Sequence, residues 1–149
     1  QGLINFDELV RDTLSLVTPR ANDEKVTIRT SLKTGIHISG DSTQLQQVIL
    51  NLLNNALDAL AGCTRAGKTI EVRTECPDDR LLLHVKDNGT GIAEDLRPSV
   101  FELFKTNKAQ GMGVGLWLSR TVINAHRGDI RFTSAEGEGT HFEVALPAR

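Results

Sequence analysis

The chain has 149 residues, 39% of them hydrophobic, enough for one globular domain with a real core. Its 17 basic and 19 acidic residues leave a net charge of −2 and are spread along the chain, so no basic tract suggests a nucleic-acid partner. No apolar run is long enough to span a bilayer and no signal-peptide pattern is present, so no direct membrane contact is expected from this segment. Cys63 and Cys76 form neither a CxxC pair nor a cluster with histidines. That speaks for a cytoplasmic location and against cysteine–metal chemistry. Met112 is the only methionine, so the chain is expected to be a piece of something longer, whose parent is free to be membrane-anchored.

Taken in order, Asn5 with Glu8 three residues on caps a first helix, predicted to run to about Thr18 and stop before Pro19. VTIRTSL (26–32) alternates like a strand, and HIS (37–39) reads as a short second one. Asp41 or Ser42 then caps a long helix that ends near Gly62. TIEVRT (69–74) and RLLLHVKD (80–87) read as strands joined by a turn around Pro77, Asp78 and Asp79. A Gly-rich, lysine-bearing region follows, then a helix from about Gly113 to Ala125, with Leu116, Leu118, Val122 and Ile123 placed to pack inward. DIRFTSA and THFEVAL close the chain as a hairpin across Glu136 to Gly139. Helices and strands interleave without regular βαβ alternation, which favours a two-layer α+β sandwich.

The long helix poses the first functional question. At about 100° per residue, Val48, Ile49, Leu52, Leu53, Ala56, Leu57 and Leu60 share a broad apolar side. Gln44, Gln47, Asn51, Asn54, Asn55 and Asp58 fall on a narrow opposite stripe. A solvated stripe normally mixes Lys and Glu; this one holds amides and one acid. Either loops cover the helix and the amides bond to backbone, or the stripe lines a ligand site and offers amide oxygens to a hard cation.

GCTRAGKT (62–69) fits the phosphate-loop pattern G-x-x-x-x-G-K-S/T letter for letter. That motif works only with a strand before it and a helix after, so that the helix N-terminus points at the phosphates. Here the order is reversed. Gly62 reads as a helix C-cap, Gly67 as a turn and Lys68 as a surface residue.

Two other glycine segments fare better. DNGTGI (87–92) follows the most apolar strand, and Asp-Asn-Gly alone is strong hairpin chemistry. A hairpin needs a returning strand, whereas IAEDLRPSVFELF continues with a helix-like pattern. Asp87 at a buried strand end can accept from an amine on a flat heterocycle, with Gly89 and Gly91 letting the backbone approach that ring. GMGVGL (111–116) opens a helix, where bare N–H groups at a positive dipole end suit a phosphate. Lys105 and Lys108 in the preceding FKTNKAQ add two cations; without them a plain flexible loop is the simpler reading.

QLQQVILNLLNNALDA, DNGTGI, FELFKTNK, GMGVGL and GEGTHFEVALP occur in the order of the N, G1, F, G2 and G3 boxes. From Asn5 to Pro147 the chain thereby resembles the ATP-binding catalytic domain of sensor histidine kinases, in the gyrase/Hsp90/histidine kinase/MutL superfamily. The resemblance implies the Bergerat fold, an α/β sandwich with a mixed five-stranded sheet under three helices, and ATP with Mg²⁺ as cofactors. It implies that Asn55 binds the metal, that Asn51 faces metal waters or phosphates, and that Lys108 completes the catalytic set. A neutral amide suits Mg²⁺ because it adds no negative charge against the triphosphate. Ala59 leaves room for adenine, Asp87 takes its amine, and Gly89, Gly91 and Ile92 border the base. Gly113, Val114, Gly115 and Leu116 meet the phosphates, and Thr140 offers a hydroxyl under the adenine. Asn54 and Asp58 stay open between hydrogen bonding at the stripe's edge and ligand contact. The F box keeps Phe101, Phe104 and Lys108, but Lys105 replaces an aromatic residue and Asn107 a Thr; Lys105 to Gly111 reads as a lid over the nucleotide.

The same resemblance implies phosphoryl transfer to a histidine on a separate domain of a homodimeric parent, with a response regulator downstream. His37, His84, His126 and His141 do not begin a His-Glu or His-Asp motif on an amphipathic helix and read as structural. The alternatives are a gyrase- or MutL-type ATPase, a serine-directed protein kinase of the same superfamily, and a nucleotide-binding scaffold. ATPase branches carry an acid where this chain has Asn51, and the intact glycine boxes argue against a degenerate scaffold.

Overall fold

The structure, a computed structural model, describes residues 2–102 and 112–148. The elements run β1 (Gly2–Asn5), α1 (Phe6–Asp23), β2 (Thr27–Ser31), β3 (His37–Gly40), α2 (Ser42–Ala61), β4 (Thr69–Glu75) and β5 (Arg80–Asp87). Then come α3 (Met112–Ala125), β6 (Asp129–Ala135) and β7 (Gly139–Pro147), with 3₁₀ turns at Pro77–Asp79 and Glu94–Ser99. Five strands form one sheet in the order β2-β4-β5-β7-β6. β2 lies parallel to β4 and the other neighbours are antiparallel, so the sheet is mixed.

Strand alternation sends Ile70, Val72, Leu81, Leu83, Val85, Phe142, Val144 and Leu146 to one face, each at most 4% exposed. α2 lies over this face with Val48, Ile49, Leu52, Leu53, Leu57 and Leu60 buried, and packs against both α1 and α3. Truncating one such leucine, Leu53→Ala for instance, removes about 2–5 kcal/mol. Asp41 accepts the Gln44 backbone N–H at 3.1 Å and so starts α2, while Gly62 caps its end. The sandwich, the sheet and the long amide helix agree with the sequence expectation.

Three details differ from it. α1 does not stop before Pro19 but continues to Asp23 with Pro19 inside. The hydrogen bond and fit that proline forfeits are offset beyond it, where Ala21 is buried and Arg20 binds α2. β1 has no periodicity to announce it; it exists because it pairs antiparallel with β3, Gly2 to Gly40 through Asn5 to His37. Leu118 does not pack inward: it is 37% exposed beside Trp117, while Leu116, Ser119, Val122 and Ile123 form the buried side of α3.

Candidate nucleotide site

The end of β5, the α2 face and the β7 start converge on a cavity of about 230 Å³. Its walls bring together Asn55, Ala59, Asp87, Gly91, Ile92 and Thr140, all expected from the sequence. Thr90, Ala93, Leu96, Val100, Glu136 and Phe142 complete it. Leu96 and Val100 come from the 3₁₀ turn and its exit, where the sequence pattern reads as helix-like. Phe142 sits in an aromatic cluster, 6.3 Å from Phe101 and 5.7 Å from Phe132 between ring centroids. The result is a small, mostly apolar slot with a few polar groups aimed inward, the form taken by sites for flat ligands. A larger groove of about 630 Å³ lies between β1, the start of α1 and the start of α2. It is an open surface depression away from the glycine boxes, and the chemistry argues for the smaller slot.

Asp87 anchors the slot. Its Oδ1 accepts the Gly89 backbone N–H at 2.8 Å, and the nearby backbone N–H of Thr140, its register partner across the β5–β7 ladder, also favours the charged form. Burial pushes its carboxyl up to about 6, and those two N–H groups pull it down only in part. No cation among the described residues offsets the charge. A buried carboxylate without a counter-ion is an acceptor in want of a donor.

Asn55 faces the same slot from α2, at 8% exposure, and its Nδ2 is buried with no hydrogen-bond partner among the described residues. An orphaned amide in a cavity wall is the kind of group a ligand satisfies. Thr140 is positioned by Ser134, whose Oγ accepts the Ile92 N–H at 2.8 Å, lies 2.9 Å from Thr140 Oγ1, and donates to Gly139 O at 3.1 Å. Ser134 thus ties the DNGTGI loop to the final hairpin. The sequence reading missed it, although alternation in DIRFTSA puts Ser134 on the side of Ile130 and Phe132, opposite the exposed Arg131 and Thr133.

Of the two glycines expected to border the base, Gly91 lines the slot and Gly89 does not. Gly91 has φ of +76° and abuts the Ala135 carbonyl, so both conformation and space demand glycine. Gly89 lies against Ala59, where a Cβ would meet backbone at 2.9 Å. Both close the loop onto protein backbone.

The rest of the amide stripe divides. Asn54 and Asp58 belong to the α1 contact, with Arg20 donating to Asp58 Oδ1 at 2.8 Å, Asn54 Oδ1 at 3.4 Å and Glu24 Oε2 at 2.8 Å. Asn51 turns to α3, its Nδ2 donating to Gly115 O at 3.2 Å and Ser119 Oγ at 3.3 Å, while Gln47 Nε2 donates to its Oδ1 at 2.9 Å. Asn51 therefore borders the slot without lining it. Leu116 sends its side chain fully into the core, so only its backbone can face a ligand. Gly113 and Val114 fall at the start of α3. Phe104, Lys108 and the expected lid from Lys105 to Gly111 lie outside the described residues.

The histidines serve the scaffold. His84 bonds Glu75 at 2.7 Å and His141 at 2.8 Å on the sheet, and His126 accepts the Asp41 N–H at 3.1 Å.

Such a slot, with a buried acid at a strand end and a helix of amides opposite, defines a nucleotide-binding α/β sandwich. A family model for histidine kinase-, DNA gyrase B- and HSP90-like ATPases matches residues 40–149, and the chain belongs to that family, as an ATP-binding domain of the sensor histidine kinase kind. The chain is 36% identical to the sensor protein FixL of Bradyrhizobium diazoefficiens over 97% of its own length and 28% of that protein's. It is 38% identical to the signal transduction histidine-protein kinase AtoS of Escherichia coli, again over 97% of this chain and 23% of the relative. It thus spans about a quarter of the length of these curated relatives. Among solved structures, the mycobacterial sensor histidine kinase MprB superposes with a TM-score of 0.85 at 28% identity, over 99% of this chain and 97% of that one. No helix of the described residues is long and apolar enough to cross a membrane.

Proposed function

We propose that the chain binds Mg-ATP in this slot and donates the γ-phosphoryl group to a histidine on a separate phosphoacceptor domain. A parent of the sensor-kinase kind would work as a homodimer and pass the group to a response regulator. The observation that carries the reading is Asp87: a buried acceptor with no counter-ion among the described residues, at the end of an apolar slot, matches the exocyclic amine of adenine. Asp87 would read the base, Ile92, Leu96 and Phe142 would sandwich it, and Thr140 would add a hydroxyl beneath.

Mg²⁺ fits the residues present. Asn55 offers one neutral amide, whose oxygen can ligate a hard cation while its Nδ2, without a hydrogen-bond partner among the described residues, is left to donate to a phosphate oxygen; the described residues hold no group of three or more His, Cys, Asp or Glu that could cage an ion. That donor set suits a cation that arrives on phosphate oxygens and keeps its waters. When bound, the ion would neutralise charge on the β- and γ-phosphates. Asn55 would orient it, and Lys108 would add a second positive charge at the phosphates. An imidazole nitrogen attacks the γ-phosphorus, the bond to the β-phosphate oxygen breaks, ADP leaves and the imidazole N–H proton passes to solvent. Such chemistry needs positioning and charge neutralisation more than a base.

The direct test is titration calorimetry of the chain with ADP, with and without Mg²⁺. Saturable 1:1 binding that AMP and GTP reproduce poorly is expected. No binding at millimolar ADP would overturn the reading.

A further inference from the structure

We infer that Asn51 is a positioning residue that latches α3 to α2, and that this is why an amide rather than an acid occupies the place. Gly115 O can only accept a hydrogen bond, so the group facing it at 3.2 Å must be the Asn51 NH₂. The second donor bond goes to Ser119 Oγ, on a residue with no exposure at all. Gly115 and Ser119 lie one turn apart on the same side of α3, against the Asn51 side chain; a methyl group on Gly115 would still stand in ordinary contact with it, 3.7 Å from Cγ, so the hydrogen bonds and not the glycine mark the contact as special. The remaining amide atom, Oδ1, points away from α3 and takes Gln47.

A side chain that donates toward α3 and accepts on its outer side meets every one of these partners. An ionised acid donates nothing. Asn51→Asp would set a carboxylate oxygen against the Gly115 carbonyl, and the attraction there would become repulsion. Alanine would remove both the bonds and the clash. The latch fixes where the start of α3 stands relative to the Asn55 wall, one turn further along α2. Its bearing on phosphate binding rests on the proposed ATP-binding function; the latch itself does not.

The experiment is amide hydrogen exchange over residues 115–120 without nucleotide, in wild type, Asn51→Asp, Asn51→Ala and Ser119→Ala. At pH 7, Asn51→Asp should exchange roughly tenfold to a hundredfold faster than wild type there, and Asn51→Ala by less. Ser119→Ala, which keeps the Gly115 bond, should show the smallest change. Near pH 4 the carboxyl group introduced by Asn51→Asp takes up a proton and can donate to Gly115 O. The difference of that variant from wild type at equal pH should therefore shrink, whereas the alanine difference should not. Wild-type protection in Asn51→Asp at both pH values would overturn the inference. So would equal loss in the aspartate and alanine variants without recovery, which would reduce Asn51 to a space-filler. A latch that holds in a chain that binds no ADP would leave this inference standing and sink the proposed function instead.

Discussion

Asp87→Asn should make the domain more stable and nearly abolish its use. The acid rises from its ordinary value of 3.8 to about 6 on folding because burial opposes its charge. Folding therefore favours the protonated form: the stabilising contribution is complete below pH 4 and is lost as pH rises through 6. At about 1.4 kcal/mol per pH unit, the ionised carboxylate costs the apo domain about 3 kcal/mol at pH 7.5. Asparagine removes that charge but turns an NH₂ toward the slot or toward the Thr140 N–H, so a net gain of about 1–2 kcal/mol is expected. For a chain of this size that is a rise of roughly 3–6 °C in Tm. The adenine amine would then face a donor or lose a charged acceptor, weakening ADP by about 2–4 kcal/mol, roughly 30- to 1,000-fold. Thermal melts of both proteins from pH 4 to pH 8, with ADP calorimetry at pH 7.5, supply the measurements. The stability difference should close and then change sign as pH falls through 6 toward 4 and wild-type Asp87 takes up its proton. A difference that ignores pH would show that Asp87 is not the group burial has shifted, and wild-type affinity in the variant would remove it from the base contact.

Two further outcomes follow from the slot. Gly91→Ala must place a side chain at φ +76° against the Ala135 carbonyl, so denaturant unfolding should register a loss of at least about 2 kcal/mol; a loss under half that would show that the loop relaxes freely. Asn55→Ala deletes a buried donor that has no partner among the described residues, so stability should stay within about 1 kcal/mol of wild type while loss of the amide oxygen removes the Mg²⁺-dependence of ADP affinity. Undiminished Mg²⁺-dependence would move the metal contact elsewhere.

Much of this is legible in the sequence. Elements with strong periodicity and local caps, such as α2 with Asp41 and Gly62, stand where the pattern puts them, because a continuous apolar face leaves one way to bury it. Asn55, Ala59, Asp87, Gly91, Ile92 and Thr140 come from motifs whose chemistry is local, and all of them line the slot. What escapes depends on partners distant in the chain. β1 exists only through β3, α1 outruns Pro19 only because Arg20 reaches α2, and Ser134 gains meaning from Ile92 and Thr140. The amide stripe is the instructive case. Composition marks it as unusual, yet only the structure sorts it into Asn55 for the slot, Asn54 and Asp58 for α1, and Asn51 for α3, since each choice is made by a neighbouring helix.

Phosphoryl transfer to histidine is the activity on which the whole reading turns, and a single labelling assay reaches it. The chain is incubated with γ-labelled ATP and Mg²⁺, alone and with the proposed phosphoacceptor domain supplied in trans. An amide at position 51 cannot serve as a general base near neutral pH, and a neutral imidazole needs none. Very slow release of phosphate is expected without acceptor, and label should appear on the acceptor that is lost in acid and stable in base, as a phosphoimidazole is. Brisk hydrolysis by the chain alone, with no label on the acceptor, would make it an ATPase instead.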